Sequence, residues 1–233
     1  LEHHQTPYRY SEHLLIFGIP SLRLKLHRPW GDVTVPALID GPVRLMDSFD
    51  IAQYVDQQGA GPKLFSKELL PEIEKWNSVS ETICDDGRAI VNKRVSGDQD
   101  AIQALIPKKL PAAVRAGAAK MSFIGTGYIR RSFSIDAKSL AEREASLRKH
   151  LTLIREALKK SNWTYLSGPD LTYSDITVAC GLQMIRPAQG TFVASKEATR
   201  RCWTQDALSL EFSDVLEWRD KIVTKHRKTR AKA

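Results

Sequence analysis

The chain has 233 residues, of which 42% are hydrophobic and 27% charged. That composition supports a packed core and excludes a largely disordered chain. No run approaches the roughly eighteen apolar residues that a membrane helix needs. The formal net charge of +8 invites a nucleic-acid reading, but six of those charges sit in residues 221–233, which hold no acid. They are Lys221, Lys225, Arg227, Lys228, Arg230 and Lys232. A basic tail on a nearly balanced body reads as a solvated end, and no interleaved aromatics offer bases a stacking platform. The cysteines Cys84, Cys180 and Cys202 are widely spaced and make no CxxC pair. They fit a reducing compartment, each as a small buried side chain. Leu1-Glu2-His3-His4 carries neither the basic nor the apolar region of a signal peptide, so a cytoplasmic location is expected.

In chain order, Tyr8 to Phe17 reads as a helix stopped by Gly18-Ile19-Pro20. Leu22, Leu24 and Leu26 alternate with Arg23 and Lys25, which predicts a half-buried strand. Val35-Pro36-Ala37-Leu38-Ile39 is a second strand, closed by the Asp40-Gly41 turn, with Val43-Arg44-Leu45-Met46 at hairpin distance. Ser48 then caps a helix whose apolar face is Ile51, Tyr54 and Val55. Gly59-Ala60-Gly61-Pro62-Lys63 reads as a linker.

From Leu69 onward only helical periodicity remains: Ile73, Trp76, Ser80, Ile83, Cys84, Gly87, Ile90 and Val91 step by three and four. Leu140, Leu147, Leu151, Ile154 and Leu158 repeat the pattern, as do Tyr173 to Ile185 and the set Phe212, Val215, Leu216 and Ile222. A further helix is expected from Pro111 to about Met121, then a loop. The expected organisation is an α/β domain over 1–58, a linker over 59–68, an all-helical domain over 69–225 and a basic tail over 226–233.

Three constellations carry possible chemistry. Thr172-Tyr173-Ser174-Asp175 has capping-box spacing and reads as structural. Val35-Pro36 can be a cis bond that leaves strand-end backbone groups free for an extended peptide; an edge-strand proline is the plainer alternative. Asp47-Ser48 opens a helix, where free N–H groups and the Ser hydroxyl suit a carboxylate.

In sequence, Val35 to Gly41 followed by Asp47-Ser48-Phe49-Asp50-Ile51-Ala52-Gln53-Tyr54 resembles the glutathione-binding half of the cytosolic glutathione transferases. The stretch Tyr165 to Ile176 resembles that family's capping box. The resemblance spans nearly the whole chain. It implies an α/β thioredoxin-like N-terminal domain followed by an all-α helical-bundle C-terminal domain. It further implies glutathione as co-substrate, a hydrophobic electrophile as second substrate, a role in detoxification and a homodimer. Pro36 would be cis, Val35 would hold the cysteinyl backbone, and Asp47 with Ser48 would hold the γ-glutamyl end.

The thiol-activating hydroxyl would come from the first loop. There Thr6-Pro7-Tyr8 stands where the family has Ser or Cys, Pro and an aromatic. Thr6 is the first choice and Tyr8 follows, with Tyr10 and Ser11 behind. Only His27 to Thr34 separates Leu26 from Val35, where the family places a short helix and a longer loop. His27, Arg28 and Trp30 remain available to a glycyl carboxylate. The alternative is a non-catalytic binding or scaffold protein of the same fold.

Other residues have plainer readings. No metal site is expected from His3, His4, His13 and His27; His3-His4 reads as the end of a first strand or a tag remnant. Met121, Phe123, Tyr128 and Phe133 can line an apolar pocket or simply pack. Arg130-Arg131 and Asp85-Asp86 are expected in solvent.

Overall fold

A computed structural model describes residues 1–11, 18–105, 137–191 and 196–226. These are mostly helical, with one small antiparallel sheet of two strands. The elements are α1 (Ile19–Leu26), β1 (Leu38–Asp40), β2 (Val43–Leu45), α2 (Ser48–Gln58), α3 (Leu70–Ser96) and α4 (Gln99–Leu105). Then come α5 (Leu140–Lys160), α6 (Tyr173–Gly181) with a 3-10 turn (Leu182–Met184), α7 (Glu197–Trp203), α8 (Asp206–Glu211) and α9 (Ser213–His226). One compact unit is built on Leu1–Leu70 and a second on Pro71–Lys225. Among the described residues no helix is long and apolar enough to cross a membrane.

The first unit corrects the sequence reading near its start. The predicted Leu22–Leu26 strand is helix α1, in which Leu22 and Leu26 are 7% and 2% exposed and Leu24 is 79% exposed. Burial therefore follows the four-residue step of a helix face, not the alternation of a strand. Gly18-Ile19-Pro20, expected as a helix stop, is a start: Gly18 is the N-cap and Pro20 lies in the first turn, where its missing N–H costs nothing. Tyr8 to Ser11 are irregular, and the rest of the predicted first helix lies outside the described residues. Residues 2–5 form a turn, so His3-His4 does not end a strand.

The hairpin agrees with expectation. β1 and β2 pair antiparallel with Leu38 opposite Leu45, Ile39 opposite Arg44 and Asp40 opposite Val43. Gly41 supplies the φ of +52° that this tight turn requires. Arg44 ties the hairpin to the end of α1 through Nε donating to the Lys25 carbonyl at 3.2 Å. The Tyr54 hydroxyl donates to Asp40 at 2.9 Å, which fixes α2 against β1.

The glycine-rich stretch after α2 belongs to the first unit and is held in place. Lys63 Nζ donates to the carbonyls of Asp56, Gln57 and Gly59, satisfying the open C-terminal turn of α2 with a positive charge. His4 is buried against this stretch, and a Cβ on Gly59 would stand 2.4 Å from His4 Cβ. Glycine is therefore needed there for close approach rather than for freedom.

In the second unit, α3 has 27 residues and spans about 40 Å. Its buried face joins Trp76, Ile83 and Ile90 to Leu147, Leu151, Ile154 and Leu158 of α5, and to Val178, Phe212 and Leu216 beyond. Each of these side chains contributes about 1.5–3 kcal/mol through burial. A smaller cluster joins Val91, Val95, Ala101 and Cys202. Polar struts cross the apolar seams: Ser80 Oγ donates to the Thr177 carbonyl at 2.6 Å, and Trp218 Nε1 to the Thr164 carbonyl at 2.8 Å. Asp86 is not in solvent as expected. It is 1% exposed and accepts from Arg143 at 2.9 Å, whereas Asp85 is exposed and pairs with Arg88. The predicted helix from Pro111 to Met121, the side chains Met121, Phe123, Tyr128 and Phe133, and Arg130-Arg131 lie outside the described residues.

Candidate functional site

The hairpin register sets the geometry of the candidate site. Leu38 pairs with Leu45 at the open end, and Val35 and Ser48 each lie three residues beyond that pair. Both therefore leave the sheet from the same end. The Val35–Pro36 bond is cis, and Val35 is 52% exposed. Among the described residues, the Val35 backbone N–H and C=O make no hydrogen bond. Such a free pair is what an extended peptide uses when it adds to a backbone edge.

Ser48 is the first residue of α2 and does not cap it. The cap is Asp47, whose Oδ1 accepts from the Phe49 and Asp50 amides at 2.8 and 3.1 Å. An aspartate one residue earlier reaches both amides and leaves the exposed Ser48 hydroxyl for other use. The helix N-terminus supplies a favourable field for a carboxylate beside that hydroxyl.

The first loop is less committed. Thr6 is half-buried and held by its amide donating to the Leu1 carbonyl at 3.1 Å. The Tyr8 hydroxyl donates to Glu2 at 3.0 Å. Tyr10 is 61% exposed and Ser11 is also exposed. Among the described residues no hydrogen bond joins Thr6 to Val35, Pro36, Asp47 or Ser48. Residues 27–37 form turns and bends, with His27, Arg28 and Trp30 exposed. His13 lies outside the described residues.

Sequence reading missed a buried His–Asp pair. His4 and Asp56 are each 4% exposed, with Nε2 2.9 Å from Oδ1, and the same oxygen accepts from the Leu64 amide at 2.6 Å. Burial pushes the His4 imidazole below its ordinary value, and the Asp56 charge opposes that shift. The available signal was Asp56 directly after Val55, at the edge of the apolar face of α2. Thr172 and Asp175 form the expected capping box. The Asp175 carboxylate accepts from the Thr172 amide at 2.9 Å, the Thr172 hydroxyl at 3.1 Å and the Leu166 amide at 2.7 Å.

No group of three or more His, Cys, Asp or Glu side chains placed to hold a metal occurs among the described residues. A cleft of about 480 Å³ lies in the second unit between α3 and α5, lined by Lys75, Val79, Lys149, His150, Leu153 and Glu156. None of the candidate residues lines it. In comparisons with known proteins, no family, no curated protein and no solved structure matched the chain.

Proposed function

We propose that this chain is a glutathione-transferase-like protein, with a thioredoxin-like N-terminal domain and a helical-bundle C-terminal domain. It binds glutathione and transfers its thiolate to a hydrophobic electrophile. The observation that carries the reading is the hairpin register: one open end presents both a free Val35 backbone and the N-terminus of α2. An extended tripeptide with a carboxylate at its γ-glutamyl end matches those two features. Val35 pairs with the cysteinyl backbone beside Pro36, Ser48 donates to the carboxylate, and the free Asp47 oxygen accepts from the α-ammonium. The capping box of α6 is consistent with the helical half of that fold.

Chemistry rests on the thiol. At an ordinary pKa of about 8.5 it is mostly protonated at neutral pH, and a hydroxyl donor from Thr6 favours the thiolate. The sulfur then attacks the electrophilic carbon, held close by the protein. In this reading the protein works as a cytoplasmic homodimer in detoxification. A second reading, glutathione binding without turnover, is favoured by the Tyr8 hydroxyl donating to Glu2 and by the absence of a helix in residues 27–37.

The test is calorimetric titration of the full chain with reduced glutathione, followed by turnover of an activated aryl halide. Binding with thioether formation supports the transferase. Binding alone selects the second reading. No binding at millimolar glutathione overturns both.

A further inference from the structure

The cleft of about 480 Å³ between α3 and α5 lies outside the glutathione reading, since none of the residues placed in that site lines it. Small-ligand sites usually measure roughly 300–1,000 Å³. Its two walls run antiparallel. Asp86 meets Arg143; two turns back along α3 from Asp86 is Val79, and two turns on along α5 from Arg143 is His150. Val79 and His150 therefore stand opposite each other, and Lys75, one turn before Val79, is level with the turn Leu153 to Glu156. The floor is apolar: Val79 is 7% exposed, and Leu153 is half-buried and packs on the main core.

The rim is charged unevenly. Each arginine of α5 is matched by a carboxylate: Arg143 by Asp86, Arg148 by Glu144 and Glu211, and Arg155 by Asp214. Lys149, exposed at the cleft, has no ion-pair partner among the described residues. Beside it, His150 Nδ1 is 2.7 Å from the Ser146 carbonyl. A carbonyl only accepts, so Nδ1 carries the proton of that bond and Nε2 is left for a ligand, as a donor when the ring is protonated. At the other end Lys75, held 5.0 Å over the Trp76 ring, and Glu156 carry opposite charges. Two lysines against one glutamate leave a single net positive charge, placed at the Lys149 end.

We propose that this cleft binds a monoanionic carboxylate amphiphile, its carboxylate held at Lys149 and His150 and its hydrocarbon laid over Val79 and Leu153 toward Lys75. A single negative charge balances the rim. A dianion would also meet Glu156, and a cation would be repelled from the Lys149 end. A second copy of this chain docked here about a two-fold axis would set Lys149 and His150 against their own images, so the charge favours a small anion over self-association. The hydrocarbon covers apolar surface that is otherwise open to water, and the methylenes of Lys75 and Lys149 extend that surface. The site is independent of glutathione binding.

The test is calorimetric titration of the full chain with octanoate, octan-1-ol and octylammonium, which share a tail and differ in head charge. Octanoate should saturate one site per chain, octanol should bind about three- to tenfold more weakly, and octylammonium more weakly still. Lys149→Gln, at an exposed position, should lower octanoate affinity by about three- to tenfold and leave octanol unchanged. Lys93→Gln removes the same charge from an exposed position of α3 away from the cleft and should change neither. Leu153→Ser, folded by circular dichroism, should weaken both ligands. The proposal is overturned if millimolar octanoate shows no saturable binding, if octanol binds as well as octanoate, or if Lys149→Gln does no more than Lys93→Gln. It is equally overturned if sedimentation shows the chain paired through this cleft, with Lys149→Gln altering the pairing instead of octanoate affinity.

Discussion

Removing the Asp175 carboxylate tests the central anchor of the helical unit. Asp175 is 0% exposed, and its side chain accepts from two backbone amides and one hydroxyl. Asp175→Ala leaves the Leu166 and Thr172 amides buried without that acceptor. Each such orphan costs about 1–3 kcal/mol, so two cost roughly 2–6 kcal/mol. Relief of the carboxylate's own desolvation offsets part of this, leaving about 1–4 kcal/mol. Asp175→Asn keeps one carbonyl oxygen but turns an NH2 toward a donor, for a loss of about 1–3 kcal/mol.

Urea unfolding followed by tryptophan fluorescence reads this unit, because Trp76 and Trp218 lie in its core. With a slope of about 2–3 kcal/mol per molar urea, Asp175→Ala should lower the midpoint by roughly 0.3–2 M. A midpoint within about 0.2 M of the parent, at unchanged slope, refutes the anchoring argument. Burial outweighs the donated bonds and holds the Asp175 carboxyl above the ordinary carboxylate range. The folded chain therefore keeps that proton to higher pH than the unfolded chain. The linked stability is full below the ordinary value and is lost as pH rises through the raised one, a slope that Asp175→Ala should lack.

Ser48→Ala should weaken glutathione binding by about 1–3 kcal/mol in calorimetry while α2 stays folded, because Asp47 supplies the cap; unchanged affinity sinks the γ-glutamyl placement. Gly87→Ala should destabilise by about 1–3 kcal/mol in the same urea assay, since its Cβ would meet Met184 Cβ at 2.4 Å, whereas Gly97→Ala has its nearest neighbour at 3.7 Å and should be neutral; equal effects would contradict the close-approach argument. For His4, burial lowers the imidazole pKa, so the folded chain releases its proton before the unfolded chain does on raising pH, and stability is lost as pH falls below the ordinary histidine value of about 6.5. Amide exchange at Leu64 should accelerate over that window and His4→Gln should abolish the acceleration; protection that stays flat on acidification rejects the His4–Asp56 lock.

Period and punctuation in the chain specify the hairpin, α2, the long α3, α5 and the capping box of α6, because each is a local pattern that packing reinforces. Leu38 to Leu45 alternate around an Asp-Gly turn, and Leu147, Leu151, Ile154 and Leu158 repeat at helical spacing and are all 0% exposed. The candidate residues Val35, Pro36, Asp47 and Ser48 were legible for the same reason, being short-range features of a strand end and a helix start. What misled was short or symmetric. Leu22, Leu24 and Leu26 fit a strand by alternation and a helix by the four-residue step, and over eight residues only burial separates the two.

The sequence by itself determined the division into a mixed first part and a helical remainder, since hydrophobic period is a property of neighbours along the chain. Tertiary structure alone decided that His4 pairs with Asp56 and that Asp86 pairs with Arg143. The physical reason is that desolvation sets the partners of a buried charge. Which groups lose water together depends on residues tens of positions apart in the chain, whose order carries no local signal of that meeting.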